Sequence, residues 1–530
     1  MLIIDSYYTT CRFSTASLEY PIQFESFFSP YNVLSHITLY NSFSGVKVLF
    51  ISPEVGPIVR AGGLGDVVGA LPLALKQMGI DVRILCPLHR ECKNIKGIEL
   101  SPPIRLKFSS KSYSLKIREV KLEQSEIPVY LLENKFLFDR PGIYSDKNEN
   151  YPDNPLRCFI LSKSALYLEN VIGWSPDIFH CHDWMTGPLP AYLNELNKSK
   201  KGKKAAQAKS VLTIHNLEHQ GSFPEEVFSI SGLPKSFYGI DGFNHYGAMN
   251  LLKGSIQHAH KITTVSPTYA EEIRTQEYGE SLETSLQYRG ADLIGILNGI
   301  DENNWNPKTD SSLNYKINSA NPQKGKKSNK ISLLKEMGLP NEDKVPLFGV
   351  VSRLYHQKGL DILAKSLPEL LTKNNFQVVL LGNGHPTQEN SFRELANKFP
   401  KKISVHIGFD DGLARRIFAG SDFFIMPSRF EPCGLAQQYA MKYGSIPVAR
   451  KTGGLADTII DVNIQKDRAN GLLFEQISSN AMNEVIHRAI KLFQMTELFE
   501  KIRNNGMNSN FSWDIAAQKY GKVYEWALNS

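Results

Sequence analysis

Residues 427–457 bring together a carboxylate (Glu431), a thiol (Cys433) and a Thr452-Gly453-Gly454 turn. The apolar run 422–426 just before them reads as a buried strand. In open α/β sheets ligands sit just outside the carboxyl ends of such strands, which puts Glu431 and Cys433 on the rim of a cleft. The turn leads into residues 455–460, which can start a helix, and backbone N–H groups at such a start favour phosphate oxygens. A carboxylate beside a phosphate nest suits a sugar nucleotide. The same turn occurs far upstream, where Arg60-Ala61-Gly62-Gly63-Leu64-Gly65-Asp66 parallels Lys451-Thr452-Gly453-Gly454-Leu455-Ala456-Asp457. Each copy alone is ordinary turn chemistry. One copy in each half of the chain suggests two α/β domains gripping one ligand.

Three further strand ends carry polar groups. His180-Cys181-His182-Asp183-Trp184 closes an apolar run, and its two imidazoles share a face of the strand. No third ligand stands near in sequence, so a metal is not expected, and Asp183 suits either a sugar hydroxyl or a helix cap. Thr213-Ile214-His215-Asn216 repeats the pattern, with His215 and Asn216 where a cleft should open. Ser352-Arg353-Leu354-Tyr355-His356-Gln357-Lys358 places two fixed cations where they can straddle a diphosphate, a planar fork and a point charge. No Asp-x-Asp pair is present to hold a divalent ion, so the diphosphate falls to cations and backbone.

The elements that must position these groups are short β-rich runs alternating with helical stretches. Residues 46–51, the first Gly-Gly turn, a helix with Val67, Leu71, Leu75 and Met78 on one face, and the run 81–86 make one βαβ unit. Runs at 129–132, 177–181, 210–214, 261–265 and 293–297 continue that series. A second series runs through 347–351, 377–381, 403–407, 422–426 and 446–449. This predicts an α/β fold of two doubly wound Rossmann-like domains facing across a cleft, hinged near 295–300. The expected divisions are 46–295, 296–510 and a C-terminal helix, 511–530, returning to the first domain. Residues 1–45 read as a poorly ordered extension. They lack the pattern of a secretory signal and the Arg content usual in a transit peptide. The lysine clusters at 198–209 and 324–330 read as solvated loops.

With 530 residues, 42% hydrophobic and 21% charged, the chain has the composition of a soluble two-domain protein. A formal charge of +7 does not argue for nucleic acid. Six scattered cysteines without a C-x-x-C pair suit a reducing compartment rather than a zinc ribbon. No apolar run of membrane-spanning length occurs.

Taken together, GGLGDVVGALP, YPDNPLR, HCHDW, TIHNLEHQG, ILNGID, VVSRLYHQKGLD, SRFEPCGL and KTGGLADT resemble the bacterial-type glycogen and starch synthases, from about Val46 to the C-terminus. The resemblance implies a GT-B fold, a glycosyltransferase, and retaining transfer of glucose from ADP-glucose to the non-reducing end of an α-1,4-glucan. It implies a cytoplasmic protein, or a plastid one if 1–45 is a transit peptide, with no cofactor or metal and no nucleic-acid or membrane partner; oligomeric state stays open. By matched position, Asp183 and His215 fall at the glucose and the reacting bond, Glu431 holds the donor sugar with Cys433 beside it, and Arg353 and Lys358 take the diphosphate. Arg60, Gly62, Gly63, Asp66, Thr452, Gly453 and Gly454 belong to the two backbone nests. Asn216 and Asn298 line the cleft, and Tyr144 lies near the donor. The chain departs from the family's usual pattern at Arg60, where Lys is common, and at Met185, where His is common. Position 439, where related transferases carry a second Glu, is Tyr439.

Overall fold

The computed structural model describes residues 43, 45–122, 125–146, 149–198 and 207–530. The expectation for residues 1–45 lies outside these, apart from residues 43 and 45, as does most of the 198–209 lysine cluster.

Two twisted sheets organise the chain. The first contains Lys47–Ile51 (β1), Asp81–Pro87 (β2), Ile98–Phe108 (β3), Lys111–Lys121 (β4), Pro128–Glu133 (β5), Ile178–His182 (β6), Lys209–Ile214 (β7), Lys261–Thr264 (β8) and Leu293–Gly295 (β9). Its order is β9-β8-β7-β6-β1-β2-β5-β4-β3, with neighbouring strands parallel except that β4 runs antiparallel to both β5 and β3 at one edge. The second contains Leu347–Leu354 (β10), Gln377–Gly384 (β11), Ile403–Ile407 (β12), Phe423–Met426 (β13), Ile446–Arg450 (β14) and Leu472–Phe474 (β15). It is all parallel, in the order β12-β11-β10-β13-β14-β15.

Central strands are buried on both faces, so they read as unbroken apolar runs. In β1, Val48 and Phe50 enter one core cluster while Leu49 and Ile51 enter another, the two-residue alternation of a strand. The helix Gly63–Gln77 (α1) buries Val67, Leu71 and Leu75, whose four-residue spacing makes one stripe. Gly79, at φ +85°, then takes the left-handed turn that ends it. Two short helices matter below, Pro267–Glu272 (α2) after β8 and Gly453–Thr458 after β14.

The 324–330 lysines are not a solvated loop. They lie in the helix Pro322–Glu336 (α3), and Lys326 and Lys330 are buried. The Lys326 ammonium donates to the carbonyls of Phe418, Ser421 and Tyr443 and to Ser445 Oγ. Burial holds its pKa well below the usual lysine range. Lys330 Nζ meets Asp422 Oδ2 at 2.6 Å, immediately before β13. A composition-based reading fails here because these ammonium groups find protein oxygens in place of water. With Gly453–Thr458 designated α4, the last helix is Trp513–Leu528 (α5). Ser512 caps it, and Trp513, Ala516, Tyr520, Val523 and Ala527 are buried. That face joins the α1 core of the first domain. Ile300 and Ser512 pair as a β-bridge where the chain passes between domains in both directions.

Candidate active site

Each sheet has one point where strand order reverses, between β1 and β6 in the first and between β10 and β13 in the second. Loops leaving such a point diverge and open a crevice. Glu54 follows β1, Asp183 follows β6, Arg353 ends β10, and Glu431 follows β13. All four line one cavity of about 940 Å³, together with Gly62, Gly63, Asp66, Tyr144, His215, Asn216, Asn298, Lys358 and Cys433.

On the first-domain side, Glu54 is buried and its Oε2 accepts the N–H groups of Ala61 and Gly62 at 2.6 and 3.0 Å. Its Oε1 accepts the Tyr144 hydroxyl. The first Gly-Gly turn is therefore held by a carboxylate of its own domain. Asp183 sits at φ 54°, ψ −171°, a backbone region that non-glycine residues seldom occupy and that carries strain. Its N–H donates to the Thr213 carbonyl, and its Oδ1 accepts the His215 N–H at 2.7 Å, so β6 and β7 fix it from both ends. Burial, with a smaller contribution from the nearby Glu54 charge, raises its pKa to about 7, against the backbone hydrogen bonds of His215 and Asn216. Burial lowers His215 to about 3. Asn298 is buried with its side-chain oxygen unpartnered, on the cavity wall.

On the second-domain side, Lys358 Nζ contacts both oxygens of Glu431, at 2.8 and 2.7 Å, and Ser428 Oγ donates to the same carboxylate at 2.8 Å. Two loops are stitched to hold this pair. The Arg429 N–H donates to the Gln357 carbonyl at 2.8 Å, and the Arg429 guanidinium pairs with Asp361 at 2.7 Å. Arg353 is exposed on the wall of the cavity. Cys433 is buried, and burial pushes its thiol up to about 12, which leaves it protonated and inert as a nucleophile. Tyr439 also lines the cavity, its ring stacked on Trp305 at 3.7 Å. A cavity with two cations and a carboxylate on one wall, facing a glycine turn and a second carboxylate on the other, can hold a charged leaving group and a polyhydroxyl substrate together.

Residues 47–288 match the starch synthase catalytic domain model, and residues 335–508 match that of glycosyl transferases group 1. A glycogen synthase of Geotalea daltonii is 42% identical over 91% of this chain and 99% of its own. A second, from Geobacter sulfurreducens, is 39% identical over 92% and 99%. The catalytic domain of starch synthase IV from Arabidopsis thaliana, solved bound to ADP and acarbose, superposes with a TM-score of 0.83 at 33% identity, covering 92% of this chain and all of that one. The chain belongs to the glycogen and starch synthase family. It is a glycosyltransferase, and its fold is GT-B.

Arg60 and Met185 stand where the resemblance implied Lys and His. Arg60 is exposed and pairs at 2.8 Å with Asp66, which lines the cavity. Met185 is buried on the cavity wall, its sulfur 3.4 Å from that of Cys158. The second Gly-Gly turn is not on that wall. Thr452, Gly453 and Gly454 are buried behind it, packed on the backbone of Glu431 and Cys433. The nest formed by Thr452 Oγ1 and the Gly453 N–H is filled by the carboxylate of Glu272, at the end of α2 in the first domain. In return Asp457, on α4, accepts from the N–H and hydroxyl of Thr268 on α2. The turn thus joins the two domains, and the expectation that it faces the ligand is corrected. Among the described residues, no group of three or more His, Cys, Asp or Glu side chains could hold a metal ion. No described helix is long and apolar enough to cross a membrane.

Glu54 on the wall and Ser428, buried behind Glu431, are not singled out in the sequence. Both stand just past strand ends at the switch points, so the strand-end rule that finds Asp183 and Glu431 reaches them too. Glu272 and Asp457 carry no comparable signal. Their partners lie 180 and 189 residues away.

Proposed function

We propose that the cavity takes ADP-glucose and the non-reducing end of an α-1,4-glucan, and that glucose passes between them with its configuration retained and ADP released. The observation that carries this reading is the convergence of the two switch points on one cavity, with Arg353 and Lys358 on one wall and the Glu54-held Gly62–Gly63 turn on the other. Similarity to glycogen synthases over nine-tenths of the chain supports the choice of substrates. The solved relative bound to ADP and acarbose shows a nucleotide and an oligosaccharide accommodated by that protein.

In this reading Arg353 and Lys358 offset charge growing on the departing diphosphate, and no metal or cofactor is invoked. Glu431, already fixed by Lys358 and Ser428, holds the donor sugar. Asp183 and His215 meet the glucose beside the bond that breaks, and Asn216, Asn298 and Tyr144 complete the wall. Closing the domains over the donor excludes water, which would otherwise compete with the acceptor. The enzyme works in the cytoplasm, where the buried free thiols of Cys86, Cys92, Cys158, Cys181 and Cys433 stay reduced.

Radiolabel transfer into glycogen from ADP-glucose, compared with UDP-glucose and GDP-mannose, tests the reading. Incorporation from ADP-glucose is the expected result, and a preference for either of the other donors sinks it. In the same assay Arg353→Ala and Lys358→Ala each lower turnover by about 10²-fold or more. Near-normal turnover in both variants removes the diphosphate role.

A further inference from the structure

Behind His215 lies a layer of buried histidines. His182 Nδ1 is 3.0 Å from His215 Nε2. The His182 ring is fully buried and packs against both His180, at 4.4 Å, and Phe50, at 5.1 Å, which are themselves in contact at 4.6 Å. His180 is fully engaged, with Nδ1 on the Tyr524 hydroxyl at 2.9 Å and Nε2 on Thr213 Oγ1 at 2.6 Å. The other nitrogen of His182, Nε2, is buried and has no partner.

This arrangement selects tautomers. Of the two nitrogens that share the 3.0 Å contact, one must donate. If His215 donated from Nε2, the proton of His182 would sit on its Nε2, a buried N–H with nothing to receive it. Orphaned buried N–H groups are rare, and under-satisfied acceptors are better tolerated. We infer that His182 is a positioning residue: it donates its Nδ1–H to His215 Nε2 and so fixes His215 as the Nδ1–H tautomer. The ring nitrogen left for a ligand in the cavity then bears a proton, and His215 presents a neutral hydrogen-bond donor. Burial keeps all three histidines neutral, with His180 and His215 lowered to about 3 and His182 lowered as well. A neutral donor suits a sugar hydroxyl, because it binds without bringing a second cation beside a positive anomeric carbon. Through His180 and Tyr524 the same layer reaches α5, so the returning helix backs the site directly.

The inference rests on the reading that His215 faces the donor sugar, and its test separates the two. In ¹⁵N-histidine-labelled enzyme, the His215 ring is assigned from its loss in His215→Ala, and long-range ¹H–¹⁵N correlation spectra report its tautomer. The expected result is a protonated Nδ1 in the unaltered enzyme, replaced by a mixture in His182→Phe. In parallel kcat/KM for the donor falls about tenfold or more in His182→Phe. His182→Asn, whose amide N–H can replace Nδ1–H, restores most of that loss. A protonated Nε2 on His215 in the unaltered enzyme overturns the inference even if His182→Phe fails to fold. So does a His182→Phe enzyme with unchanged tautomer and unchanged kcat/KM. Full activity in His215→Ala would instead remove the sugar-facing role and leave the tautomer result standing.

Discussion

The two Gly-Gly turns share a sequence pattern, and each donates to a carboxylate, the first through two backbone N–H groups and the second through one N–H and the Thr452 hydroxyl. At the first turn the carboxylate is Glu54, from the same domain, and Gly62 and Gly63 open onto the cavity with nothing within 4 Å of where a Cβ would stand. At the second the carboxylate is Glu272, from the other domain, and the turn is closed in. A Cβ on Gly454 would lie 1.9 Å from the Cys433 carbonyl oxygen, and one on Gly453 would lie 2.1 Å from that of Glu431. The same backbone chemistry serves as a ligand-facing wall in one case and as an interdomain joint in the other. What differs is where the neighbouring strand ends lie. The β1 loop faces the crevice at a switch point, whereas β14 lies one strand away from its own.

The largest test of this contrast exchanges glycine for alanine at both turns. Gly454→Ala is expected to give little folded protein, because the clash is with backbone that cannot rotate away, at a cost on the order of 3 kcal/mol or more. Gly62→Ala folds normally, since its φ of −162° is extended backbone open to any residue. Its new methyl projects into open space at the cavity and raises the donor KM. Urea midpoints and donor KM for both variants are the measurements. Equal stability of the two collapses the distinction between wall and joint.

Asp183→Asn probes the open side next. Burial and the Glu54 charge hold the Asp183 carboxyl at about 7, against an ordinary value of 3.8. Below about pH 4 both folded and unfolded chains keep this proton and the residue costs nothing. As pH rises toward 7 the unfolded chain releases it first, so stability falls, with the full penalty present above 7. That penalty is on the order of 4 kcal/mol. Asparagine keeps an acceptor for the His215 N–H and removes the ionisation. The variant is therefore expected to be more resistant to urea than the parent at pH 8.5 and equal to it at pH 4, while its turnover drops about 10²-fold. Identical urea curves at pH 8.5 would falsify the claim that the site stores unfavourable charge.

How much of this was legible varies with the physics involved. Central parallel strands are buried on both faces, so β1, β6, β10 and β13 stand out as apolar runs, and the polar residues just past them mark the crevice. The β3–β4 hairpin gives no such signal because it is half exposed, carries Pro102 and Pro103, and turns at Ser109-Ser110 without a glycine or asparagine. The helix α3 reads as loop in the sequence because its lysines mask its period, and only the fold reveals that Lys326 is caged by carbonyls. The turn at residues 452–454 reads as a phosphate nest because it follows a strand and starts a helix. Nothing local to residues 451–457 shows that Glu272 will fill that nest.

The joint itself yields a smaller prediction. Glu272→Ala leaves the Gly453 N–H and the Thr452 hydroxyl without their acceptor in a largely buried place, at about 1–3 kcal/mol. Asp457→Ala does the same for Thr268. Because the two carboxylates exchange between the same pair of short helices, the double variant should lose less than the two single losses together. Strict additivity in urea denaturation would mean that the exchanges act as separate contacts and not as one joint.

Arg60→Lys is expected to do least. The Arg60–Asp66 pair has side-chain exposures of 53% and 37%, and pairs this open are worth about 0–1 kcal/mol. Stability should stay within about 0.5 kcal/mol of the parent. Lysine keeps the charge and loses only the fork geometry that now engages Asp66. If Arg60 serves the turn from outside, donor KM moves by less than about threefold, well under the 1.4 kcal/mol of a tenfold change. A tenfold rise would show the guanidinium reaching over the turn to the diphosphate when the donor is bound. The first Gly-Gly turn would then differ from the second in supplying a cation as well as an open wall.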